Sequence, residues 1–221
     1  MFKFSKCIGI VFFTSMTVFI SGGIKSQAME KPNYSITAED IQHLEEKTIE
    51  SKETYKCSAF SVNSDRLLLP DGKQRTREII NRQGASCIAA LTPKNELIFI
   101  KQYRHPYKKV LFELPAGKLD GNEPLECAIR ELEEETGIIG KNFSSLGEVY
   151  PTVGFLNEVI YLFSCEIGEV VSQKLNEGEF VKVIRIPLQK AYEMVINGEI
   201  KDAKTQIAVL KLYSKMSKVS E

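Results

Sequence analysis

The chain has 221 residues, 43% of them hydrophobic, which is long enough for a substantial core in one or two domains. Its 29 Lys and Arg match its 29 Asp and Glu, so charge points away from nucleic acid or an acidic membrane surface as partner. The five Cys show no CxxC spacing, and the two His, His43 and His105, are far apart, which argues against zinc, a redox motif or a disulfide framework.

Lys3 and Lys6 precede an apolar run over residues 7–20, and Ser26 and Ala28 then stand where a signal peptidase would read small residues. The run is short for a membrane span. Met29 would be an ordinary start, so residues 1–28 are read either as an over-extended start of a cytoplasmic protein, the expected compartment, or as a segment for export or membrane anchoring. Residues 36–56 are polar with a weak helical pattern. Residues 56–80 read as a β-meander turning at Pro70-Asp71-Gly72. A larger domain is expected from Gly84. Its first strands, 86–91 and 96–103, are joined by Thr92-Pro93-Lys94-Asn95, and residues 111–114 lead into a glycine-bearing loop. Pro124 suits the first turn of a helix and Gly137 its C-terminal cap. Within it Leu125, Ala128, Ile129 and Leu132 have the spacing of a buried stripe, with Glu131, Glu134 and Glu135 sharing a face along its flank. Apolar strands follow around 146–150, 159–166 and 180–186. Two helices close the chain, one carrying Leu188, Ala191, Tyr192, Val195 and Ile196, the other marked by Ile207, Leu210 and Leu212. The sum is an α/β sandwich, a mixed sheet with helices on both faces.

Three carboxylates crowded at the edge of a packed surface repel one another. A divalent cation would turn that cost into binding energy, and all-oxygen ligands favour magnesium, with manganese the alternative. The plainer reading is a solvated acidic helix in which Glu126 and Glu134 each pair with Arg130.

The stretch from Phe112 to Ile138 resembles the Nudix box of nucleoside-diphosphate-linked-moiety hydrolases, matching it at Gly117, Glu123, Arg130, Glu131, Leu132, Glu134, Glu135, Gly137 and Ile138. It departs once: the loop between Glu123 and Arg130 is one residue shorter than the family pattern, which bears on Glu123 and leaves the three-carboxylate face intact. Flanking segments resemble the ADP-ribose pyrophosphatases of that family. They are Thr76-Arg77-Glu78-Ile79, Lys101-Gln102-Tyr103-Arg104, Glu113-Leu114-Pro115-Ala116-Gly117, Pro151 with residues 154–158, residues 177–181 and residues 201–205.

The resemblance implies a Nudix α/β/α sandwich over residues 84–215, a small N-terminal β region over 29–83 that exchanges in a homodimer, and a tail at 216–221. It implies metal-dependent hydrolysis of ADP-ribose or a related nucleoside diphosphate sugar to AMP and a sugar phosphate. In that picture the Ala116 carbonyl, Glu131, Glu134, Glu135 and Glu179 serve the metal, and Glu177 is the proton acceptor. Glu158 is the rival base or a substrate contact. Arg77 and Arg104 touch the nucleotide sugar, and Glu113 belongs with them or supports the metal cluster from behind. A Nudix hydrolase of another nucleotide and a non-catalytic ADP-ribose sensor are the alternatives.

Overall fold

A computed structural model describes residues 34–217. The signal-peptide-like segment and the last four residues lie outside the described residues. The chain divides into two compact units, Met1–Ile41 and Gln42–Glu221. Helix α1, Ala38–Leu44, crosses that boundary, and its start is capped by Thr37 and Asp40, which bond each other's backbone or side chain.

The second unit opens with three strands, β1 (Lys47–Lys56), β2 (Ser61–Leu68) and β3 (Gln74–Asn81), paired antiparallel in the order β1-β2-β3. The β2–β3 connection turns at Gly72, whose φ of +80° suits a residue without a side chain. Strand β1 replaces the weak helix expected up to residue 56. Its sequence is polar and its face exposed, so the ordering comes from pairing with β2, Lys47 opposite Leu68 through Lys56 opposite Ser61, and not from burial.

The larger sheet contains β4 (Ala85–Leu91), β5 (Glu96–Arg104), β6 (Lys109–Glu113), β7 (Ala116–Lys118), β8 (Ile138–Val149), β9 (Ile160–Val170) and β10 (Val181–Pro187). Its main path runs β10-β5-β4-β9-β8. Only β4 and β9 pair in parallel, so the sheet is mixed. Helices α2 (Pro124–Thr136), α3 (Leu188–Ile196) and α4 (Ala203–Ser217) cover it. Successive strand residues point to opposite faces. Accordingly Ile88, Ala90 and Ile98 pack with Ala128 and Leu132 of α2, whereas Cys87, Ala89, Leu97 and Phe99 pack with α3 and α4 through Ala191, Val195, Ala208, Val209 and Leu212. Helices therefore lie on both faces. Burial from two sides explains why β4 and β5 read as unbroken apolar runs.

The centre of the sheet is open. β4 and β5 pair only at Leu91 opposite Leu97 and then diverge. In the wedge, β6 follows β5, with Glu113 opposite Ile100, and β7 follows β4, with Ala116 opposite Cys87. The Ile88 N–H donates to the Pro115 carbonyl at 2.9 Å and closes the gap. Residues 113–118 are thus threaded through the middle of the fold.

Three further elements differ from expectation. The buried face of α2 contains Cys127, Ala128, Glu131, Leu132 and Glu135, while Leu125 and Ile129 are 39% and 38% exposed. The helix is turned so that two of its carboxylates face inward instead of flanking an apolar stripe. Strand β8 begins at Ile138, directly after the helix, rather than near residue 146; its first half, Ile-Ile-Gly-Lys-Asn-Phe, is broken by register shifts, which hides the alternation a strand normally shows. In α4, Ala208 and Val209 are buried where Leu210 was expected to be.

Candidate active site

Helix α2 and strand β7 face each other across the wedge. A Cβ on Gly117 would collide with the Glu131 carboxylate, so only glycine admits this approach. The Ala116 N–H donates to Glu135 Oε2 at 3.0 Å, and the Cys127 thiol lies 3.1 Å from the Lys118 carbonyl. Both Glu131 and Glu135 are buried. Burial pushes the Glu135 carboxyl up to about 8; the Ala116 N–H works against that rise, and the charges of Glu131 and Glu179 add to it. Burial also raises Glu131, opposed by Arg130 and reinforced by Glu134 and Glu179. Arg130 bridges the outer pair, 2.8 Å from Glu131 and 2.9 Å from Glu134. Its partners are therefore Glu131 and Glu134, where the plainer sequence reading paired it with Glu126 and Glu134.

The loop between β9 and β10 is strapped to the C-terminal end of α2. The Val171 N–H donates to the Gly137 carbonyl at 2.6 Å, the Gln173 amide to the Glu135 carbonyl at 2.5 Å and the Lys174 N–H to the Glu134 carbonyl at 2.9 Å. These donors satisfy carbonyls that a helix end leaves unpaired. Farther along, Glu179 is half-buried and accepts the Asn176 N–H at 3.1 Å, and Gly178 turns the chain at φ +83°. Glu177 is exposed at that turn; among the described residues no side-chain bond holds it.

Glu158 is buried just ahead of β9. Arg82 Nε stands 3.4 Å from it and opposes the rise in pKa that burial causes. The neighbouring Asn157 donates to Asn81 Oδ1 at 2.8 Å and accepts the Arg82 N–H at 2.9 Å, which joins this segment to the end of β3. Arg104 forks onto Glu113, Nε to Oε1 at 2.6 Å and Nη2 to Oε2 at 2.7 Å, and Lys204 Nζ reaches the same Oε2 at 2.7 Å. Burial would raise the Glu113 carboxyl, but Arg104 and Lys204 outweigh it and hold the group at about 2. Arg77 lies elsewhere, on β3, where it forks onto Glu46 at 2.7 and 2.5 Å.

The donors around Ala116 are all oxygens: the Ala116 carbonyl, Glu131, Glu135 and, through its field, Glu179. Two buried carboxylates whose pKa values are raised by burial first, with the charges of neighbouring carboxylates adding to the rise, fit a hard divalent cation. As the side chains stand, no three His, Cys, Asp or Glu of the described residues converge into a ready-made cage.

The family model described as NUDIX domain matches residues 80–207. The chain belongs to the Nudix family. This Nudix chain is 37% identical over 172 residues to the ADP-ribose pyrophosphatase of Bacillus subtilis (strain 168), covering 76% of this chain and 93% of that protein. It is 36% identical over 171 residues to the methanol dehydrogenase activator of Bacillus methanolicus, covering 75% and 91%. A crystal structure of an ADP compounds hydrolase shares the fold at a TM-score of 0.70 and 17% identity, over 78% of this chain and 95% of that one.

Of the residues singled out from the sequence, the Nudix fold brings together Ala116, Glu131, Glu134 and Glu135, with Glu179 near enough for its charge to be felt. Arg104 and Glu113 meet each other. Arg77 is engaged by Glu46, and Glu177 and Glu158 stand on separate loops. Sequence reasoning missed Gln173, for which no signal exists, and Lys204 and Asp202, which lie inside the 201–205 segment that resembles the family but were not assigned a role.

Proposed function

We propose that the protein hydrolyses the pyrophosphate bond of ADP-ribose or a related nucleoside diphosphate sugar, giving AMP and a sugar phosphate. The observation that carries this reading is the buried Glu131–Glu135 pair set against the Gly117 backbone, in a chain whose likeness to an ADP-ribose pyrophosphatase spans nearly that protein's whole length. Glu131, Glu135, Glu179 and the Ala116 carbonyl hold magnesium, or manganese, with Glu134 adding charge beside them. The cation supplies the positive charge that offsets the phosphate oxygens and acidifies the attacking water. Glu177, on the strapped loop, takes the proton, and Glu158 is the second candidate for that task or a contact to substrate. Arg104 offers a guanidinium to the diphosphate, a match of fork to oxyanion.

In this reading residues 84–215 form the hydrolase domain, and residues 29–83 pair two copies into a homodimer. The free edge of β1, exposed along its length, supports that pairing. Arg77 on β3 joins the substrate set in the homodimer. A substrate of this class places the activity in the cytosol; among the described residues no helix is long and apolar enough to cross a membrane.

The test is product analysis after incubating the protein with magnesium and a panel of ADP-ribose, other nucleoside diphosphate sugars, dinucleotides and oxidised nucleoside triphosphates. AMP and ribose 5-phosphate from ADP-ribose, at a rate above the non-sugar nucleotides, is expected. Turnover confined to nucleotides without a sugar diphosphate would overturn the assignment.

A further inference from the structure

Glu113 closes β6 with a carboxylate only 2% exposed, on which three charge-assisted bonds converge, two from Arg104 and one from Lys204. The contacts continue beyond it. Lys204 Nζ lies 3.0 Å from Asp202, and Asp202 caps α4 by accepting the Thr205 N–H at 3.1 Å and its hydroxyl at 2.5 Å. The Thr205 hydroxyl oxygen in turn accepts the Leu114 N–H at 2.9 Å. The start of α4 is thereby tied to the end of β6, next to the strand that faces the carboxylate helix.

Lysine is an unexpected residue for this place. The first turn of a helix is the positive end of its macrodipole, where a cation is disfavoured. The side chain is also only 12% exposed, which removes much of the hydration of its charge. An apolar residue would fill the same space without either penalty. What lysine supplies, and an apolar residue cannot, is a grip on Glu113 Oε2. Arg104 turns its Nε and Nη2 edge to that carboxylate and keeps 40% of its side chain exposed, with Nη1 engaged by no other described residue.

We propose that Lys204 is a positioning residue for substrate binding: through Glu113 it fixes the Arg104 guanidinium so that its outer edge meets an oxyanion of the diphosphate. The proposal rests on the nucleoside-diphosphate-sugar reading above. A guanidinium already held on one edge binds an oxyanion with less ordering at the moment of contact. When Lys204 is lost, Oε2 keeps one donor instead of two, the carboxylate gains freedom, and the fork moves with it.

The experiment uses the full chain with magnesium and ADP-ribose, comparing Lys204→Met, Lys204→Arg, Glu113→Gln and the Glu113→Gln/Lys204→Met pair. Lys204→Met should raise KM roughly tenfold and change kcat by less than about twofold, and Lys204→Arg should recover most of the loss. In the Glu113→Gln background Lys204→Met should add little, because the link it acts through is already broken. A folded Lys204→Met with wild-type KM, a loss confined to kcat, or additive effects in the pair would overturn the proposal. If Lys204→Met does not fold, Lys204→Ala, which also removes the donor, carries the same comparison.

The NMR signal of the Arg104 Nε–H in the ligand-free protein is read alongside. It should be protected from solvent exchange in the wild type and exchange faster in the Lys204 variant. Equal exchange overturns the positioning role whatever the substrate, whereas a clear difference in a protein that does not cleave ADP-ribose overturns only the substrate reading.

Discussion

Burial, then repulsion by Glu131 and Glu179, disfavours the charged form of Glu135 and pushes its carboxyl up to about 8. A bound cation relieves that repulsion, and a neutral side chain of the same size relieves it too. Glu135→Gln is therefore expected to lower magnesium-supported turnover by roughly a thousandfold or more while the metal-free protein melts at the same temperature or higher. Wild-type turnover in that variant would remove Glu135 from the metal set. Glu113 is the opposite case, a buried carboxylate held at about 2, below its ordinary 4.5, because Arg104 and Lys204 outweigh burial. The sign follows: its contribution to stability is fully present above the ordinary value and is lost as pH falls from about 4.5 to about 2. Denaturant unfolding at about pH 5 and about pH 3 should show a drop that Glu113→Gln lacks, and an equal drop in both proteins would contradict the pairing. At this scale the spacing of Glu131, Glu134 and Glu135 and the glycine at 117 were legible, because period and side-chain size are properties of the sequence itself. Lys204 was not, since a lysine in the first turn of a helix looks like any solvated cation until β6 is laid beside it.

Helix α2 and the loop after β9 form one device. Gly137 ends the helix at φ +69°, its N–H bonded to the Glu133 carbonyl at 2.8 Å, and a Cβ there would collide with the Val171 carbonyl. Gly137→Ala thus strains the cap and pushes away the strand end that leads to Glu177 and Glu179. It should cost about 1 kcal/mol or more of stability and reduce turnover beyond what Glu126→Ala, on the exposed face of α2, does. Unchanged stability and turnover would show that the loop is not held by this contact. The helix ends were readable from Pro124 and Gly137, and most strand positions from apolar runs. The rotation of α2 was not, because Leu125 and Ile129 score as core by pattern while the close approach of Gly117 to Glu131 decides which side faces in. Strand β1 was missed because its order comes from backbone pairing with β2, which leaves no apolar trace, and the first half of β8 because register shifts against β9 break its alternation.

Across the whole molecule, the divergence of β4 and β5 makes room for residues 113–118, and these carry one end of several of the contacts described at the site. From Glu113 the ion pairs run to Arg104 and Lys204, from Ala116 the backbone bond runs to Glu135, and Gly117 abuts Glu131. The α/β class and the mixed sheet could be inferred from the order of runs along the chain. The wedge could not, because it arises from two strands that pair at a single position before parting. The central claim is that this arrangement cleaves a nucleoside diphosphate sugar with the help of a divalent cation. The most direct measurement is AMP release from ADP-ribose by the chain from Met29 onward, with magnesium, then with excess chelator, then with magnesium restored. The account predicts release that stops with chelator and returns with the metal; release indifferent to chelator, or none from a folded protein supplied with magnesium, would contradict it.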